Sequence, residues 1–246
     1  MEYARFLECL DADYRRLREV AGGDPATNVP SCPGWSVADL LYHVAVVYLH
    51  KVQSIRLGQA PEPWPPDLSG HAPLDALDEA YADLAKTFAA HDASDPAFTW
   101  YDPDQTVGFW IRRMAQETVI HRRDAELAFG VPTSAADDLA KDGIDELLVI
   151  FVGWATTKWA SEIADELAAR KDDTVLVDDF LLRPTLEGVR VERGQDVDAA
   201  LRVTGTPSSL LFWLWNRSAP TDDAVVVDGD QSVAERFRET LTLSTQ

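Results

Sequence analysis

A glutamate and a histidine stand four apart in "MAQETVIHRRDAELAFG", residues 114–130: Glu117 and His121. In a helix that spacing puts both side chains on one face, about 5–6 Å apart at Cβ. A carboxylate oxygen and an imidazole nitrogen so placed can ligate one metal ion, as two histidines four apart do in zinc proteases. Two ligands fall short of a catalytic zinc site, which takes three protein ligands and keeps a position open. The third has to come from another helix. Of the five histidines, His50, His71 and His91 fall at expected helix ends or in loops, whereas His43 lies mid-helix in "DLLYHVAVV". Taken singly, each candidate has an ordinary reading. An i,i+4 acid–base pair is common on a solvated helix face, and a histidine among apolar residues is commonly a hydrogen-bonded core group. Placed on two facing helices of a bundle, the three form the donor set of a metal site.

The elements that must position them are legible as periodicity. Tyr3, Phe6, Leu7, Leu10, Tyr14 and Leu17 recur at helical spacing over residues 3–20, and Gly22, Gly23 and Pro25 end that helix. The turn "VPSCPGW" leads to a second helix, with Ser36 as N-cap, Asp39 at the capping-box distance and an end near Gly58. A proline-rich connection over residues 59–73 precedes a third helix from Leu74 to His91. The fourth runs from Val107 to Gly130. Four helices with one long crossover predict a bundle over residues 1–134. One long helix is expected from about Ala136 to Ala169, followed by β-type runs "TVLVDD", "GVRVER", "AALRVTG" and "DAVVVDGD". The helical pieces "PSSLLFWLWNR" and "SVAERFRETL" interleave with them. Residues 135–246 are therefore expected to form a small α+β domain, and the chain as a whole is α+β but mainly helical.

Composition narrows the function. The chain has 246 residues, 46% of them hydrophobic, and a formal net charge of −20. Such acidity repels phosphate backbones, so nucleic acid and anionic membranes are not expected partners. No apolar run approaches the roughly 18 residues of a membrane span. The acidic, amphipathic start reads as neither signal nor transit peptide. Two cysteines, Cys9 and Cys32, form no disulfide framework or zinc knuckle and fit a reducing compartment. The expectation is a cytoplasmic protein, with no protein partner implied.

Helical spacing also suggests neighbours for the metal site. Asp39, one turn before His43, either accepts a proton from its free ring nitrogen or serves only the helix start. Arg113, one turn before Glu117, either binds a substrate carboxylate as part of the catalytic machinery or makes a surface pair. Trp35 and Trp110 are candidate walls. Cys32 is a fourth ligand, a nucleophile or simply a small apolar group.

The segments "VPSCPGWSVADLLYHVA" and "ETVIHRRDAELAFG", followed by the α+β tail, resemble the mycothiol-dependent maleylpyruvate isomerase family over nearly the whole chain. The resemblance implies a DinB-like metal-binding four-helix bundle joined to a sterol-carrier-like domain. It implies zinc held by His43, Glu117 and His121, and mycothiol as cofactor. It also implies an arginine of the C-terminal domain that contributes to thiol or substrate binding; by position this is Arg217, in "TPSSLLFWLWNRSAP". Trp35 and Arg217 are then the candidate contacts for the thiol. Zinc with two imidazoles and one carboxylate is net positive and favours thiolate over thiol. The expected activity is an isomerase of maleylpyruvate-like substrates or an S-transferase, acting on a small thiol and an electrophile. Activation of water would instead give an amide or ester hydrolase. A non-catalytic metal- and ligand-binding protein is the alternative from a different class.

Overall fold

A computed structural model of the chain describes residues 1–194, 197–219, 222 and 225–244. By its internal contacts the chain divides into two compact units, Met1–Thr133 and Ser134–Gln246.

The first unit is a four-helix bundle: α1 (Tyr3–Val20), α2 (Val37–Leu57), α3 (Pro73–Ala89) and α4 (Val107–Ala128). Local chemistry sets the start of α2. The Ser36 hydroxyl accepts the Asp39 N–H, and the Asp39 carboxylate accepts the Ser36 N–H in return, a complete capping box. Gly58 stops the helix in a left-handed conformation at φ 65°, which costs a glycine little. Thr106 caps α4 by accepting the Phe109 N–H. α1 packs on α4 and α2 on α3, and α2 also faces α4. Leu17, Leu40, Val44, Tyr48, Leu77, Leu84, Trp110 and Met114 are wholly buried between them. α2 and α4 run antiparallel. His43 meets His121, Tyr48 meets Thr118 and Lys51 meets Trp110, so numbers rise on one helix as they fall on the other.

The second unit is α+β. Its helices are α5 (Asp137–Asp145), α6 (Ala155–Lys158), α7 (Ala164–Ala169), α8 (Pro207–Leu214) and α9 (Gln231–Ser244). Its strands are β1 (Val175–Val177), β2 (Phe180–Thr185), β3 (Gly188–Arg193), β4 (Leu201–Thr204) and β5 (Val226–Gly229). They form one sheet in the order β3-β2-β1-β4-β5, in which only the β1–β4 pair is parallel.

Two expectations fail here. The single helix over residues 136–169 is not continuous. α5 passes into a nine-residue π-helical stretch, Glu146–Trp154, which continues as α6 and ends at Lys158. No glycine or proline lies between Trp154 and Ala169 to signal that end. The break goes with a long-range bond: the Thr156 hydroxyl bonds back to the Val152 carbonyl and accepts the Val189 N–H of β3. The strand β2 was not expected, because "FLLRPT" contains Pro184 and does not alternate. β1 pairs only with Phe180 to Leu182, so Pro184 sits where the strand has one neighbour and its missing N–H breaks no ladder. Among the described residues, no helix is long and apolar enough to cross a membrane.

Candidate metal centre

His43 on α2 and Glu117 and His121 on α4 come together, with one donor atom from each inside a 4.8 Å group. Glu117 Oε1 lies 3.1 Å from His121 Nε2 and 3.4 Å from His43 Nε2. A tetrahedral zinc with bonds of about 2.0–2.1 Å has ligand–ligand edges of about 3.3 Å, so two of the three edges already have that length. Two imidazole nitrogens and a carboxylate oxygen are donors that zinc accepts. Among the described residues no other three histidine, cysteine or acidic side chains form such a group. The side-chain exposures, 9% for His121, 16% for Glu117 and 36% for His43, place the open side of the group at His43. The Trp35 ring lies beside it, 4.9 Å between centroids.

Further residues hold the two α4 side chains in place. His121 Nδ1 is 2.9 Å from Asp124 Oδ2, one turn along the same helix. This bond turns Nε2 toward Glu117. Asp124 is wholly buried and is itself held, accepting from Ser31 Oγ at 2.5 Å, with Cys32 Sγ 3.6 Å from its other oxygen. The turn before α2 is thereby tied to α4. Arg113 Nη2 donates to Glu117 Oε2 at 2.5 Å, which leaves Oε1 to the histidines.

The charges follow from this geometry. Burial pushes the Glu117 carboxyl up. The charges of His121 and Arg113, with hydrogen bonds from His121 and His43, outweigh that and hold it well below the usual range. Burial pushes His121 down, but the Glu117 charge and the bonds to Asp124 and Glu117 prevail and raise it to about 9. Without metal the pair is ionic. A metal cation bound between the donors would take the place of the His121 Nε2 proton.

The family model of the mycothiol maleylpyruvate isomerase N-terminal domain matches residues 6–126, and that of the C-terminal domain matches residues 138–236. The chain belongs to the mycothiol-dependent maleylpyruvate isomerase family. The crystal structure of a mycothiol-dependent maleylpyruvate isomerase superposes with a TM-score of 0.60 at 13% identity, over 92% of this chain and 93% of that one. At that identity the likeness speaks for the fold. Comparison with curated proteins gives no match.

The remaining expected residues sort by place. Asp39 caps α2 through Ser36, so its helix-start reading is the one the geometry fits. Arg113 makes no surface pair: it is 4% exposed, and its guanidinium is committed to Glu117. Trp110 is fully buried and donates Nε1–H to the Phe98 carbonyl, a packing role, although one face of its ring receives Lys51. Cys32 stands outside the donor group, beside Asp124. Arg217 lies in the second unit, just past α8. Asn216 at φ 63° and the bonds from Asn216 N to Trp213 O and Arg217 N to Phe212 O close that helix in a Schellman turn. The Arg217 guanidinium donates to the Trp215 carbonyl at the helix end.

Asp124 was missed in the sequence, although "HRRD" carries it three residues after His121, on the same helix face. Asp124→Asn should weaken metal binding by about 10- to 100-fold while leaving the three ligands in place. Competition with a chelator of known affinity measures this. Unchanged affinity would reduce Asp124 to a tie between the turn and α4.

Proposed function

We propose that His43, Glu117 and His121 hold one divalent metal, zinc by donor chemistry, and that the protein is a mycothiol-dependent isomerase of maleylpyruvate-like cis-enone acids. The observation that carries this reading is the complete donor trio on facing helices, backed by Asp124 and Arg113, in a chain of this family. Bound there, the metal would act as a Lewis acid that favours the thiolate form of a thiol docked beside it.

The protein's own groups have separate tasks. Asp124 accepts the Nδ1 proton of His121 and so fixes which nitrogen faces the centre. Arg113 holds one Glu117 oxygen and keeps that carboxylate ionised without drawing it from the histidines. Trp35 shields the half-exposed face of His43 and is a contact surface for the thiol. Arg217 is the further candidate that the family resemblance implies for thiol or substrate binding. Neither protein cysteine suits the nucleophile's part. Cys9 is buried in α1, and the Cys32 thiol faces a carboxylate, where a thiolate would meet like charge.

The test incubates zinc-loaded protein with mycothiol and a panel of cis-enone acids and simple electrophiles. Isomerisation is expected to require thiol and metal together, and to fall by at least about 100-fold when either is withheld. Stable S-conjugates instead of isomerised product would assign an S-transferase. Equal turnover without thiol, in a variant with Cys9 and Cys32 both replaced, would assign the centre to hydrolysis. Stoichiometric metal and thiol binding without turnover on any of them would leave a binding protein.

A further inference from the structure

Lys51 lies eight residues beyond His43 on α2, about two turns and 12 Å along the axis. Side chains lean toward a helix N-terminus, so Lys51 leans back toward His43. Its Nζ sits 4.7 Å from the centre of the Trp110 ring, on the α4 side of the helix pair that carries the metal ligands. A lysine partly removed from water normally finds a carboxylate. Lys51 has none within ion-pair distance among the described residues. Its one hydrogen-bond partner among the described residues is His50 Nδ1 at 3.4 Å, a nitrogen that also lies 3.3 Å from Ser54 Oγ. Burial and the Lys51 charge push His50 down to about 4, so this partner is neutral. The charges that act on Lys51 are those of Glu117 and Arg113. Burial lowers its pKa, Glu117 opposes that and Arg113 adds to it, for a value of about 8. Glu117 and Arg113 are already committed to each other. An aromatic face, a neutral imidazole and an unmatched ammonium thus stand together beyond the metal ligands. Such an ammonium is desolvated in advance and gains most from an incoming anion.

We propose that Lys51 is the substrate-carboxylate anchor: it binds one carboxylate of an anionic electrophile whose reacting carbons lie toward His43, Glu117 and His121. This deepens the isomerase reading and rests on it for the direction of the substrate, but not for the anion site. A cis-enone diacid offers a carboxylate at a distance from its reacting double bond, which suits a cation set apart from the metal ligands. Electrophiles without a carboxylate gain nothing from Lys51.

Maleate and its dimethyl ester serve as probes with the zinc-loaded protein, without thiol. Calorimetry should show Lys51→Met weakening maleate binding by about 10- to 100-fold, the loss of one charge-assisted hydrogen bond. The diester should bind the variant as it binds the wild type, and Lys51→Arg should recover most of the maleate affinity. Metal content should stay stoichiometric in both variants. In turnover, Lys51→Met should raise KM for a carboxylate substrate with the KM for thiol unchanged. Wild-type protein supplies a test that needs no variant: saturating maleate should protect Lys51 from reductive methylation, read by mass spectrometry, and the diester should not. Equal maleate affinity in wild type and Lys51→Met, or no protection of Lys51, overturns the proposal. Lys51-dependent maleate binding in a protein that isomerises nothing leaves the anion site standing and removes the isomerase reading. Thiol-dependent isomerisation whose KM ignores Lys51→Met does the reverse.

Discussion

His43→Ala is expected to lose stoichiometric zinc while leaving the bundle as stable as before. Apparent zinc binding energies of about 10–16 kcal/mol, spread over four ligands, assign about 2.5–4 kcal/mol to each. Losing one should therefore weaken binding by about 100-fold or more. His43 is the most exposed of the three ligands, and among the described residues its one polar contact is the 3.4 Å approach to Glu117. Removing it strands no buried group. Glu117→Gln differs. It removes a candidate ligand and also a charge that pairs with Arg113, which is 4% exposed and donates to Glu117. Breaking one partner of a buried ion pair costs up to about 3–5 kcal/mol. Metal and melting temperature should both fall in Glu117→Gln, whereas in His43→Ala only the metal should go. Metal analysis after dialysis against buffer, with thermal unfolding of the metal-free forms, separates the two. A His43→Ala protein that keeps zinc at wild-type affinity would remove His43 from the ligand set.

The His43, Glu117 and His121 group was legible because helix periodicity is strict. Glu117 and His121 share a face at any i,i+4 spacing, and the capping box at Ser36 and Asp39 fixes where α2 begins and hence which way His43 points. What periodicity cannot give is identity across helices. Spacing points to Asp39 as the residue to orient a histidine and passes over Asp124, although each stands about one turn from one. Only the packing of the 29–35 turn against α4 decides that Asp124 is the buried one, while Asp39 spends its carboxylate on Ser36. Arg113 reads as a surface residue because arginines usually are. It is buried, and its guanidinium turns along the helix to Glu117. Lys51 carries no signal at all: a lysine on an amphipathic helix ordinarily snorkels to water, and its lack of a carboxylate partner among the described residues is a fact of three dimensions. In the second unit, the end of α6 depends on the bond from Val189 to Thr156, thirty-three residues away, and no local rule contains it. Pro184 hid β2 for the opposite reason, since a local rule about proline applies only where both strand edges are paired.

The metal affinity of this centre should depend steeply on pH, and His121 sets the slope. In the metal-free protein the His121 pKa is raised from 6.5 to about 9. Burial opposes the rise, and the Glu117 charge and the hydrogen bonds to Asp124 and Glu117 drive it. A group whose pKa rises on folding stabilises the fold fully below its unfolded value and loses that contribution as pH climbs through the folded one. The metal-free protein should therefore lose this stabilisation between about pH 6.5 and 9. Metal binding needs the neutral ring, so its linkage has the other sign. Below pH 9 each metal must displace a proton from His121, and apparent affinity should fall about tenfold per pH unit, or about 100-fold from pH 8 to pH 6. The gain in melting temperature on adding zinc should widen across the same interval. Asp124→Asn provides the control. It removes one of the groups that hold the His121 proton, so the pH at which affinity levels off should move down, even though the affinity itself also drops. A proton released from metal-bound water would not follow Asp124 in this way. Chelator competition at half-unit intervals from pH 6 to pH 9 measures the slope for both proteins. A flat wild-type profile would mean that His121 is already neutral before metal arrives, and that the ionic Glu117–His121 pair does not exist in solution.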